Sequence, residues 1–292
     1  MNVGRYQVLE TIGTGAYSKV VRGYDPLIDR AVAIKLFSPE IARGEGRSKF
    51  IREARVVGKL SHPAVIVVHD MGIEEATSTP YLVMELVEGQ SLEKVIAKGS
   101  VPYPTACEWV AHVAAALNEA HRRNVIHGDV KPANVLITTE NRVKLTDFGM
   151  ARLASHQGKD SPLLGTPAYW CPEQIHGRPQ DARSDIFSLG VVLHEVLTGI
   201  SPFAGDSLQS VCNHVLSSTP LPPSRHNPSI PATLDDIVAA CLAKDPQHRI
   251  ASAEDLAERL FPLARQKAQV AAPPAVVQSS LRSRAARLLR SA

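Results

Sequence analysis

Two carboxylates and an amide, Asp129, Asn134 and Asp147, fall within 19 residues of one another. They stand in His127-Gly-Asp129-Val-Lys131-Pro-Ala-Asn134 and, 13 residues after Asn134, in Asp147-Phe148-Gly149, loops beside two short strand-like runs, VLITT and RVKLTD. Such oxygens can supply one base and two ligands for hard magnesium ions. Upstream, Lys35 ends the apolar run Ala-Val-Ala-Ile-Lys35, and Glu53 follows 18 residues later. Phe50, Glu53, Val57 and Leu60 recur at helical spacing, which turns Glu53 toward the apolar face. A carboxylate facing inward needs a partner, and an ion pair with Lys35, holding that lysine against phosphates, accounts for both charges. Gly13-Thr-Gly15-Ala-Tyr-Ser18-Lys-Val20 lies between two strand runs, where glycines let a hairpin backbone approach phosphates without side-chain obstruction. Taken singly, each motif also reads as an ordinary turn or a surface lysine.

The elements that must hold these groups fall into two sets. Residues 6–90 alternate apolar and polar in β-branched runs (YQVLETI, KVVRGYD, AVAIKLF, AVIVVHDMGI, YLVMEL), as in an antiparallel sheet interrupted by one helix over about 48–60. Beyond Gly89, helical periodicity predicts helices over about 91–98, 103–123, 185–198, 208–217, 233–243 and 253–260. The expected fold class is α+β: a small sheet lobe over about 5–85 and a larger helical lobe over about 90–262. From about 266 to 292 the composition turns to Ala, Pro, Ser, Val and Arg, a linker followed by a basic, weakly amphipathic stretch.

Composition excludes several classes. Of 292 residues 44% are hydrophobic and 21% charged, and no apolar run reaches the roughly 18 residues a membrane helix requires. The N-terminus lacks the features of a secretory signal, so a cytoplasmic location is expected. The net charge of +3 comes from the last 28 residues, which carry +6 and no acid, leaving −3 for residues 1–264; no nucleic-acid surface is indicated. Cys107, Cys171, Cys212 and Cys241 are widely spaced and read as reduced thiols.

In their order and spacing the motifs resemble those of bacterial-type, eukaryotic-like Ser/Thr protein kinases over about residues 5–262. The resemblance implies a bilobal kinase fold using ATP and Mg²⁺ (or Mn²⁺), with proteins as substrates and autophosphorylation at Ser155, Ser161 or Thr166. It makes Asp129 the acceptor of the substrate hydroxyl proton, Lys131 the cation that steadies the γ-phosphate, Asn134 and Asp147 the metal ligands, and Lys35 with Glu53 the phosphate-holding pair. Ile12, Gly13, Gly15, Val20 and Ala33 would cover the nucleotide, with Leu136 beneath, Met84 closing the back of the pocket, and the backbones of Glu85 and Val87 bonding the base. Gly165-Thr166 through Cys171-Pro172-Glu173 resembles the turn that docks a peptide substrate, with Thr166 bridging Asp129 and Lys131. Glu173 would pair with Arg249, and Asp185 would brace the catalytic loop. Relatives suggest a homodimer, and the basic tail could touch an anionic membrane surface or a partner.

Three positions depart from the family pattern: Ser18 for a loop glycine, Cys171 for alanine, and Gly128 for the arginine that usually precedes the catalytic aspartate and receives an activation-loop phosphate. The last implies weak dependence on loop phosphorylation. A pseudokinase is disfavoured by the joint presence of Lys35, Glu53, Asp129, Asn134 and Asp147, a small-molecule kinase by the peptide-docking turn, and tyrosine specificity by Lys131.

Overall fold

The computed structural model describes residues 2–15, 18–42, 46–148 and 166–266. Ser155, Ser161, Gly165 and the basic tail lie outside the described residues.

The small lobe is one antiparallel sheet in the order β1-β2-β3-β4-β6-β5: β1 Asn2–Val3, β2 Tyr6–Thr14, β3 Ser18–Asp25, β4 Arg30–Phe37, β5 Val68–Glu74 and β6 Thr79–Glu85. The run expected as a strand from residue 64 enters the sheet only at Val68. Ahead of it, Ala64 and Ile66 exchange backbone hydrogen bonds with Leu145 (2.7 and 2.9 Å), so the segment ties the two lobes together. Helix α1, Gly46–Val57, lies on the sheet through Phe50 and Ala54, which pack with Phe37, Ile41 and Leu82. That stripe places Glu53 at its margin, half-buried.

A second, three-stranded sheet of β7 (Gly89–Ser91), β8 (Val135–Thr138) and β9 (Val143–Leu145) floors the cleft between the lobes. The remainder is helical: α2 Leu92–Ile96, α3 Tyr103–His121, α4 Pro172–Ile175, α5 Ala182–Thr198, α6 Leu208–Ser217, α7 Pro223–His226, α8 Ala232–Cys241 and α9 Ala253–Ala264. Helix α3 buries five alanines on the faces that meet α5 and α9; small side chains let the axes approach closely. Helix α5 runs through the centre of the lobe. It starts three residues earlier than periodicity indicated, because Asp181 caps it by accepting from the Arg183 N–H. It ends at Gly199 in the left-handed conformation (φ 74°). At Gly190 a Cβ would lie 2.4 Å from that of Cys241, so only glycine permits the α5–α8 contact.

The four cysteines are free and buried, and burial pushes the Cys171 thiol up to about 11 and the Cys241 thiol up to about 12. Among the described residues no helix is long and apolar enough to cross a membrane.

Candidate active site

The loop between α3 and β8 carries Asp129, Lys131 and Asn134. Asp185, in the first turn of α5 and 1% exposed, holds that loop from below. Its carboxylate accepts from the backbone N–H groups of His127 (2.9 Å) and Gly128 (2.8 Å) and meets His121 Nε2 at 2.7 Å. The bracing role expected of Asp185 thus has a direct geometric basis, and His121 joins it without any signal in the sequence. His127 is committed at both ring nitrogens: Nδ1 accepts from the Asp129 N–H (3.2 Å), and Nε2 donates to the Thr146 carbonyl (2.9 Å). Its ring packs on Phe148 at 4.6 Å between centroids. It is therefore a packing residue with no nitrogen left to shuttle a proton.

Three predicted residues meet directly on this loop. Lys131 Nζ lies 2.7 Å from Asp129 Oδ2, and Asn134 Nδ2 donates to the Asp129 carbonyl (2.8 Å) and to Oδ2 (3.1 Å). The Asn134 amide donors are thereby spent on Asp129, which leaves its carbonyl oxygen as the group available to a metal ion. Across the cleft floor, Asp147 adopts φ 69°, a backbone region sparsely populated by non-glycine residues and typical of functional sites. Its Oδ1 lies 2.7 Å from Lys35 Nζ, a lysine 7% exposed. Burial would raise the Asp147 carboxyl, but the charge and hydrogen bond of Lys35 outweigh it and hold the pKa below the ordinary value.

Two expectations are corrected here. Glu53 does not pair with Lys35: the lysine is engaged by Asp147, and Glu53 makes no ion pair with any described residue. Phe50 and Ala54, the anchors of α1, leave Glu53 at the margin, where water can solvate its charge and no partner is obligatory. Nor does Thr166 bridge Asp129 and Lys131. It is exposed, it stands at the start of a short turn over Pro167–Tyr169 without a side-chain cap bond, and the two charged groups contact each other instead.

The cleft itself encloses about 670 Å³. Ile12, Gly13, Val20, Ala33, Met84, Glu85, Val87, Leu136 and Asp147 of the predicted set line it, together with Ile66 and Ala133, which the sequence reading did not single out. Gly15 is placed at the hairpin tip, where its N–H donates to the Ser18 carbonyl (2.7 Å), away from the lining. Strand register builds the roof, for Val20 pairs with Lys35 and Ala33 with Met84. Met84 also lines a separate void of about 10 Å³ with Val57, Leu82 and Phe148. Glu85 spends its N–H on the Val67 carbonyl (2.9 Å) and its carboxylate on the Val67 N–H and Lys144 Nζ (2.8 and 2.7 Å). Only its carbonyl is left to serve a ligand. Val87 makes no backbone hydrogen bond with the described residues, which leaves a donor and an acceptor beside the apolar slot.

The expected Glu173–Arg249 pair is present. The contact is bidentate at 2.8 and 2.7 Å, and the arginine side chain is wholly buried. It locks α4, and with it the turn that precedes it, to the helical lobe. Beside Glu173, Gln174 reaches the catalytic loop, a link the sequence reading missed. Its one visible signal was the cap-x-x-Gln spacing from Cys171.

Comparisons with known proteins show the family. The model of the protein kinase domain matches residues 6–261, and the chain belongs to that family. Among curated proteins it is similar to bacterial Ser/Thr kinases: 40% identical over 260 residues to the serine/threonine-protein kinase PknB of Mycobacterium tuberculosis, covering 86% of this chain and 42% of that protein. It is 38% identical over 286 residues to the serine/threonine-protein kinase PksC of Streptomyces coelicolor, covering 94% and 51%. The chain thus spans about half or less of the length of these relatives. Its fold is similar to the crystal structure of the Mycobacterium tuberculosis PknI kinase domain, with a TM-score of 0.70, 27% identity, and 90% of this chain and 98% of that one covered. The family uses ATP and a divalent metal ion. The described residues fit that requirement, since a carboxylate and an amide oxygen form the donor set of a magnesium ion completed by phosphate oxygens and water, and they contain no cage of three or more His, Cys, Asp or Glu side chains.

Proposed function

We propose that this chain transfers the γ-phosphoryl group of Mg²⁺-bound ATP to serine and threonine hydroxyls of proteins, itself included. The observation that carries the reading is the loop on which Asp129, Lys131 and Asn134 touch, together with the Lys35–Asp147 pair, whose carboxylate lines the cleft. Asp129 orients the substrate hydroxyl and takes its proton as the new oxygen–phosphorus bond forms and the bond to the β-phosphate oxygen breaks. Lys131 and Lys35 neutralise charge on the transferring and bound phosphates. Asn134 and Asp147 would provide the oxygens that hold a metal ion, which would supply positive charge to neutralise those phosphates. Ile12, Val20, Ala33 and Leu136 sandwich the adenine ring; the Glu85 carbonyl and the Val87 backbone bond its edge.

Residues 166–173 belong to the segment against which the peptide lies, with Ser155, Ser161 and Thr166 as sites of autophosphorylation. Gly128, standing where an arginine would receive a loop phosphate, makes turnover only weakly dependent on that phosphorylation. The cytoplasm as location, a homodimer, and a basic tail that meets a membrane surface or a partner complete the reading.

Incubation with labelled ATP, Mg²⁺ and a generic basic protein, beside Asp129→Asn, tests it. Phosphoserine or phosphothreonine made only by the unsubstituted chain is the expected result. Nucleotide binding without transfer would overturn it in favour of a nucleotide-binding scaffold. Phosphatase treatment that changes turnover more than tenfold would overturn the reading of Gly128.

A further inference from the structure

Gly128 occupies a left-handed conformation, φ 75°. A Cβ there would have room, its nearest neighbour being Gln180 Oε1 at 3.7 Å, so the position favours glycine through its backbone and not through crowding. Glycine adopts this conformation at no steric cost, and it equally lets the adjoining peptide unit rotate. That unit comprises the Gly128 carbonyl and the Asp129 N–H, and its orientation aims the Asp129 side chain. Something other than local sterics must hold it. From below, Asp185 grips only the two preceding units, through the His127 and Gly128 N–H groups. The unit that leads into Asp129 is held at its two ends by different groups: the Asp129 N–H by His127 Nδ1 (3.2 Å), and the Gly128 carbonyl by Gln174 Nε2 (3.0 Å).

Gln174 is well placed to serve as such a fixture. Its Oε1 accepts from the Cys171 N–H (3.0 Å) and from Cys171 Sγ (3.4 Å), so the amide is oriented with its donor toward the loop. Its neighbours in sequence are anchored, for Cys171 is wholly buried and Glu173 is bound bidentately by Arg249. We infer that Gln174 is a positioning residue, which fixes the Gly128–Asp129 peptide unit from the substrate turn and thereby sets the aim of Asp129. The inference rests on the kinase reading above for its kinetic consequence and on hydrogen bonding alone for its structural one. It also gives the turn a direct mechanical route to the proton acceptor across 46 residues of sequence.

The discriminating substitution is Gln174→Glu. An ionised carboxylate still accepts from the Cys171 N–H but has no hydrogen to donate, so one bond is lost and the other kept. The expected result is a kcat lower by about 10- to 100-fold, the scale of a misplaced catalytic group, with KM for ATP and for peptide within about twofold and an unchanged melting temperature. Because the introduced carboxyl regains a donor when protonated, the ratio of variant to wild-type kcat should rise as the pH is lowered from about 8 toward 5, which a packing defect would not produce. Amide hydrogen exchange at Asp129, read by NMR, requires no activity and should quicken at least tenfold. A kcat within twofold of wild type, or a kcat that falls together with the melting temperature and without pH recovery, overturns the inference. If the wild type transfers no phosphate, the kinase reading fails separately, and exchange decides: quickened exchange upholds the clamp, unchanged exchange removes it.

Discussion

In the helical lobe, Arg249 is buried with all five of its N–H donors engaged: two on Glu173 and the others on the carbonyls of Ala243, Arg183 and Lys244. At the cleft, Lys35 and Asp147 also pair, the lysine buried and the carboxylate partly exposed, but the ammonium meets Oδ1 alone, and Oδ2 has no partner among the described residues. The first pair is saturated and can hold two elements together; the second keeps unused valence and can exchange its partner for a phosphate or a metal ion. Saturation, more than distance, separates the two pairs. Asp129, with Lys131 and Asn134 on Oδ2, belongs to the second kind, because its Oδ1 has no side-chain partner among the described residues.

The contrast can be broken most sharply at Asp129. Asp129→Asn should lower kcat by about 10²- to 10⁴-fold, while stability in chemical denaturation moves by no more than about 1 kcal/mol, since the Lys131 pair is partly exposed. Arg249→Met should do the reverse. It leaves the Glu173 carboxylate buried without its counter-charge at a cost of about 3–5 kcal/mol, read as a lower denaturation midpoint, with nucleotide affinity of the remaining folded protein little altered.

Lys35→Met reaches the working pair through pH. The folded Asp147 pKa lies below its unfolded value of 3.8, so the pair stabilises the fold above that value and the contribution is lost as the pH falls through the lower folded one. In the variant the charge and hydrogen bond of Lys35 are gone and burial is opposed only by the charges of His127 and Lys131, so the carboxyl pKa rises and the contribution shrinks. The stability difference between wild type and variant should therefore widen as the pH rises from about 3 to 6; a difference flat across that range would mean the pair does not form in solution.

The smallest effect is expected at Glu53. Glu53→Gln should leave the nucleotide-free protein within about 0.5 kcal/mol of wild type, and a larger loss would show that Lys35 divides its time between Asp147 and Glu53.

The fate of Glu53 shows how far a periodic pattern can be read. Helical spacing put it on the apolar face, but a margin position and an inward one differ by a small rotation about the helix axis. That rotation is set by how Phe50 and Ala54 seat against Phe37, Ile41 and Leu82. Thr166 failed for a related reason: its proposed partners, two residues apart on one loop, satisfy each other at 2.7 Å. By contrast, the proximity of Asp129, Lys131 and Asn134 was legible because a single short loop carries all three. Asp147 was legible because only the β8–β9 hairpin separates it from that loop.

By itself, then, the sequence determined the two lobes, through the change from period-two to helical patterning near residue 89, and the identity of the groups at the cleft, through residue types that local chain geometry keeps together. Tertiary structure alone decided which carboxylate Lys35 holds, which bonds Glu85 spends and which it keeps, and that Gln174 reaches Gly128. Each of these is a choice among alternatives close in energy, made by the packing of elements tens of residues apart, and a contact between such elements leaves no periodic trace in the chain.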